Sequence, residues 1–111
     1  MTELNTPEIA HYIGGGQHAG AGTRTQAVYN PATGQVSAKV KLGNQQDIDN
    51  AVASAQAAFP AWADTPPLRR ARVLFNFLAL LNENKEKLAA MITAEHGKVL
   101  SDAMGEVTRG I

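Results

Sequence analysis

The hydrophobic pattern changes period partway along the chain, from two in the first part to about 3.6 in the second. Val36, Ala38, Val40 and Leu42 alternate with Gln35, Ser37, Lys39 and Lys41, which predicts a strand with one buried and one wet face. Just before it, Ala27-Val28-Tyr29 leads into Asn30-Pro31-Ala32-Thr33-Gly34. Asn suits the first position of a turn, Pro fixes φ at the second, and Gly accepts positive φ at the exit. Together these predict a β-hairpin. Upstream, His11-Tyr12-Ile13 is a short β-prone run broken by Gly14-Gly15-Gly16. The following Gln17-His18-Ala19-Gly20-Ala21-Gly22 is too glycine-rich for a helix and reads as the return arm of a looser hairpin. Residues 1–10 read as a disordered polar tail.

The helical half opens at Gly43-Asn44, with Asn44 as N-cap and Asp47 placing a carboxylate near the positive helix end. Ile48, Ala51, Val52, Ala55, Phe59 and Trp62 then form one apolar stripe, and Pro60 is expected to stop or kink this helix. Thr65 followed by Pro66 predicts a second helix, with Thr65 as cap and Pro66 at the first helical position. Leu74, Phe75, Leu78 and Leu81 line one side of it, while Val73, Phe77 and Leu80 cover much of the other. A helix apolar all round is expected to be buried all round, and the few other elements can hardly enclose it. After a break at Asn82-Glu83-Asn84, a third helix turns Leu88, Met91 and Ile92 inward and ends at Gly97 as a left-handed C-cap. A fourth starts near Lys98 and repeats Val99, Ala103, Val107 and Ile111. That helix is still periodic at the last residue, which favours an incomplete chain.

Composition narrows the function more than the fold. Ten basic residues balance ten acidic ones among 111, with three Phe, two Tyr and one Trp, so there is no electrostatic footprint for nucleic acid. With no cysteine, disulfides, thiolate metal sites and thiol nucleophiles are excluded. The N-terminus lacks a secretory signal and no stretch reaches membrane-spanning length, so a cytoplasmic protein is expected.

No motif in this chain makes a catalytic constellation. Gly14-Gly15-Gly16-Gln17-His18-Ala19 fits a dinucleotide fingerprint formally, but Gly20 and Gly22 stand where the required helix should open. Gly97-Lys98 lacks the spacing of a phosphate loop. His11, His18 and His96 have no metal-ligand spacing. Asp102 and Glu106 read as a solvated face, with Glu106 and Arg109 placed for a weak i,i+3 ion pair.

Taken in order, several of these segments resemble the beginning of the aldehyde dehydrogenase superfamily. They are Tyr29-Asn30-Pro31-Ala32-Thr33-Gly34, residues 51–62 ending in Phe59-Pro60-Ala61-Trp62, residues 69–74, Glu95-His96-Gly97-Lys98 and Gly105-Glu106-Val107. His11-Tyr12-Ile13-Gly14-Gly15, Trp62-Ala63-Asp64-Thr65-Pro66-Pro67 and Arg109-Gly110-Ile111 are similar to the CoA-acylating methylmalonate-semialdehyde dehydrogenases within it. The resemblance implies an α/β parent, of which this chain supplies N-terminal β-hairpins and about four α-helices. Residues 11–111 would then be the N-terminal part of an NAD-binding domain, truncated before the cofactor loop and the catalytic domain. It further implies that a cysteine thiolate of the parent attacks the aldehyde, hydride passes to NAD, and coenzyme A resolves the thioester with loss of carbon dioxide. Propionyl-CoA or acetyl-CoA would result from methylmalonate or malonate semialdehyde, as in valine and related catabolism. The parent is expected to be a homodimer or homotetramer, and the 111-residue chain alone to be inactive.

By the same resemblance, Arg109 matches a substrate-binding arginine that grips the substrate's carboxylate. The alternative for Arg109 is a surface residue paired with Glu106. Two other readings of the whole chain stay open. One is a free-standing helical interaction module that self-associates; the other is an aldehyde dehydrogenase with a different aldehyde substrate.

Overall fold

The computed structural model describes residues 6–111. They fold as five short strands followed by four helices, in two compact units. Among the described residues, one unit is 6–29 with Gln35–Asp64; the other is Asn30–Gly34 with Thr65–Ile111.

In the first unit, β1 (Glu8–Ile9), β4 (Thr25–Tyr29) and β5 (Val36–Lys41) form a three-stranded sheet in the order β1-β5-β4. The β4–β5 hairpin is the one the alternation predicted. Ala38 is its buried residue, and Val28 faces Ala38 across the ladder. The register slips beyond Val28, where Tyr29 pairs with Val36 and leaves Ser37 as an extra residue. The Ser37 hydroxyl donates to the Val28 carbonyl at 3.1 Å. The parallel pairing of β1 with β5 was not legible in the sequence. Glu8 lies opposite Lys39 and Ile9 opposite Val40, so the tail expected over residues 1–10 gives way to a strand by Glu8. Its first five residues lie outside the described ones.

A separate two-stranded hairpin pairs β2 (His11–Ile13) with β3 (Gly16–His18). Gly14 and Gly15 form its turn at φ 62° and 83°, the double positive φ that a tight two-residue connection needs.

Helix α1 (Gln45–Asp64) begins as the sequence predicts, but Pro60 does not end it. A proline in a helix removes one backbone bond and crowds one carbonyl. Here the helix continues four residues beyond it to Asp64. Ile48, Val52 and Phe59 of the predicted stripe are each more than half exposed, and Trp62 is 44% exposed.

In the second unit, α2 (Pro67–Glu83) starts one residue later than expected: Pro66 is its N-cap and Pro67 takes the first helical position. None of its residues is buried. Leu68, Val73, Leu74, Phe75, Phe77 and Leu80 are all more than half exposed. Asn84 ends α2 and begins α3 (Lys85–His96), its backbone N–H donating to the Leu80 carbonyl at 3.0 Å.

Gly97 closes α3 at φ 86°, donating to the Thr93 carbonyl at 2.8 Å, as the left-handed cap predicted. Val99 is the N-cap of α4 (Leu100–Gly110). The core of this unit is Ala89, Ala103 and Val107, with Leu88, Ile92 and Met104 packed around it. Small residues at the centre let α3 and α4 approach closely. Two expectations fail here. Met91 is 62% exposed rather than inward, and only Ala103 and Val107 of the four-residue α4 stripe are buried.

The fold is thus α/β, with helices that display most of their large apolar side chains. Among the described residues, Ala38, Ala89, Ala103 and Val107 are the buried apolar ones. None of them is large.

Candidate functional site

Helix α4 carries the residue that the resemblance singled out. Arg109 lies in its last turn with a side chain 72% exposed. Its Nη2 is 3.9 Å from Oε1 of Glu106, one turn earlier, beyond hydrogen-bond distance. The same oxygen is taken by Lys98, whose Nζ lies 2.6 Å away. Lys98 reaches it from the connection between Gly97 and Val99, with only a fifth of its side chain exposed. The Lys98 hydrogen bond, with the charges of Lys98, Arg109 and His96, holds the Glu106 carboxyl below its ordinary pKa against the opposing effect of desolvation. Glu106 is therefore not the plain solvated carboxylate that helical spacing suggested. Lys98 was missed because its partner is eight positions away and Lys98 itself precedes the helix, outside the i,i+3 and i,i+4 rules.

A second polar cluster lies in the first unit, around Asp47. Asn44 and Asp47 cap α1 reciprocally: the Asp47 N–H donates to Asn44 Oδ1 at 3.0 Å, and the Asn44 N–H to Asp47 Oδ2 at 2.9 Å. The carboxylate also accepts from the Ala21 N–H at 2.7 Å and the Gly22 N–H at 3.1 Å. His11 Nε2 stands 3.8 Å from Oδ2. Bonds from the backbone at Asn44, Ala21 and Gly22 lower the Asp47 pKa, with desolvation opposing them and His11 adding a small charge effect. Asp47 is thus a clamp that fixes the glycine-rich segment after β3 to the start of α1. A cleft of about 320 Å³ beside it is lined by Ile13, Gly14, His18, Gly20, Asp47, Asn50 and Ser54.

These geometries decide the weaker motifs. The Gly14-Gly15-Gly16 run is a hairpin turn into β3 and opens no helix, so it cannot present a helix N-terminus to a pyrophosphate. The N-terminus of α1 is filled by the Asp47 carboxylate. Neither feature fits a dinucleotide. His11 and His18 are cross-strand partners, yet among the described residues no group of three His, Cys, Asp or Glu could hold a metal ion.

The sequence pattern of the aldehyde dehydrogenase family matches residues 18–111. The chain belongs to that family. It is 44% identical over its whole length to malonate-semialdehyde dehydrogenase 1 of Geobacillus kaustophilus, and 47% identical to the malonate-semialdehyde dehydrogenase of Halalkalibacterium halodurans. It spans 23% of the length of each of these relatives. Among solved structures, one described as a methylmalonate-semialdehyde dehydrogenase of Sinorhizobium meliloti 1021, complexed with NAD, superposes with a TM-score of 0.92 at 45% identity. That superposition covers 97% of this chain and 22% of the other. A succinate-semialdehyde dehydrogenase of Burkholderia pseudomallei superposes with a TM-score of 0.83 at 31% identity, covering 97% and 22%. No helix among the described residues is long and apolar enough to cross a membrane.

Proposed function

We propose that this chain works as the N-terminal part of an NAD-dependent, CoA-acylating dehydrogenase. Its substrates would be malonate or methylmalonate semialdehyde, converted to acetyl-CoA or propionyl-CoA with loss of carbon dioxide. The whole-length identity to malonate-semialdehyde dehydrogenases, at about a quarter of their length, supports this reading. So do the wide apolar faces of α1 and α2, which ask for cover that the described residues do not provide. The chain lacks a thiol, and neither the Gly14-Gly15-Gly16 turn nor the start of α1 fits a dinucleotide. On this reading the nucleophile and the cofactor cradle belong to polypeptide outside these residues.

What this segment adds to the reaction is recognition of charge. Arg109 is the residue we assign to the substrate carboxylate, and the observation that carries the assignment is its exposed guanidinium, held at 3.9 Å from its nearest carboxylate. A planar guanidinium can meet a carboxylate with two parallel hydrogen bonds. In the complete enzyme, Arg109→Ala is expected to raise KM for malonate semialdehyde by about 10- to 100-fold, from the ~1.5–3 kcal/mol of a hydrogen bond to a charged group. KM for an uncharged aldehyde of similar length should change little. Equal effects on both aldehydes would defeat the assignment and return Arg109 to the role of a surface partner of Glu106.

A further inference from the structure

An arginine three residues after a glutamate on a helix is placed to pair with it, and a paired guanidinium is less available to a substrate. Here the pairing is incomplete. Glu106 Oε1 lies 2.6 Å from Lys98 Nζ but 3.9 Å from Arg109 Nη2, so one oxygen faces two cations and the lysine has the closer share. We propose that Lys98 is a positioning residue for Arg109: by holding the Glu106 carboxylate it keeps that carboxylate from closing on the guanidinium, which stays free for an anionic group of the substrate.

Three features of the chain support this arrangement. Gly97 turns the backbone through its left-handed conformation immediately before Lys98, and Val99 is extended at the N-cap, so the lysine is delivered to α4 from a fixed point. The Lys98 side chain is only 19% exposed, so its charge has little water and remains near its counter-ion. Arg109 is the opposite case, 72% exposed. Lys98 and Glu106 therefore form the tight pair, and Arg109 stays outside it.

The inference rests on the proposed role of Arg109, and the test separates the two. In the complete enzyme, Lys98→Met is expected to raise KM for malonate semialdehyde by about 2- to 5-fold, the scale of an exposed ion pair gained by Glu106 and Arg109 at the substrate's expense. Neither kcat nor KM for propanal should change. Adding Glu106→Gln to Lys98→Met should restore the original KM, because the competing charge is gone, and Lys98→Arg should behave like the parent. An NMR titration of the Glu106 carboxyl should show its pKa rising in Lys98→Met. If Arg109→Ala raises KM selectively while Lys98→Met does not, the positioning role is wrong and the substrate assignment stands. If Arg109→Ala has no selective effect, both fall. A loss of kcat on both aldehydes, unrelieved by Glu106→Gln, would make Lys98 a purely structural residue and overturn the proposal.

Discussion

Replacing Gly97 by alanine probes the junction that aims Lys98 at α4. Gly97 sits at φ 86° and ψ 2°, and its N–H closes the last turn of α3 on Thr93. An L-residue in this left-handed conformation costs about 1–2 kcal/mol. A β-carbon at Gly97 would also lie 3.3 Å from both Cβ and Cγ of Pro31, closer than the ~3.5–4.0 Å of a relaxed carbon contact. Overpacking of this kind adds about 1 kcal/mol when the neighbour cannot move freely, and the Pro31 ring is stiff. The expected loss is thus about 2–3 kcal/mol. Gly34 supplies the control: it has φ 71° and nothing within 4 Å of its notional β-carbon, so Gly34→Ala should lose only the conformational part. Alanine restricts the unfolded chain equally at both positions, and that effect cancels in the comparison. Urea unfolding followed by circular dichroism, for both variants, for Pro31→Ala alone and for Gly97→Ala with Pro31→Ala, measures the contact as a coupling of about 1 kcal/mol. No coupling, with Gly97→Ala no worse than Gly34→Ala, would refute the packing of Pro31 against this cap.

Asp47 gives an acid-side prediction. Its folded pKa lies below the ordinary 3.8, so its contribution is fully present above that value and is lost as the pH falls through the lowered folded pKa. Asp47→Asn should therefore unfold more readily near neutral pH and show less additional destabilisation below about pH 4 than the parent; parallel acid-denaturation curves would contradict the clamp. Gly20→Ala attacks the same knot sterically, because its β-carbon would stand 2.8 Å from His11 Cδ2 and 2.9 Å from Asp47 Oδ1 at φ +76°. Amide exchange at Ala21 and Gly22 should accelerate in that variant, and unchanged protection there would count against the arrangement. The isolated 111-residue chain is expected to bind a hydrophobic dye or self-associate through its apolar faces and to form no NADH from aldehyde. A monomer with a sharp melt and no dye binding would argue for a self-sufficient module instead.

Local rules were enough for several features that depend on near neighbours in the chain, though not for Pro60 or the exact start of α2. The period-two run fixed the β4–β5 hairpin, Asn44 and Asp47 marked the start of α1, and Gly97 marked the end of α3, since turns and caps are settled within a few residues. The absent thiol and the ordered run of short motifs were also legible there. Tertiary structure decided what depends on distant partners. It alone paired β1 with β5, brought the Ala21 and Gly22 amides to Asp47, and set Lys98 rather than Arg109 against Glu106. It also separated the apolar positions that meet, Ala89, Ala103 and Val107, from those left exposed, such as Met91 and, on α2, Leu74, Phe75 and Phe77. Periodicity says which side of a helix is apolar. Whether that side is covered depends on which surfaces the rest of the polypeptide brings against it, and that is a property of the assembled fold.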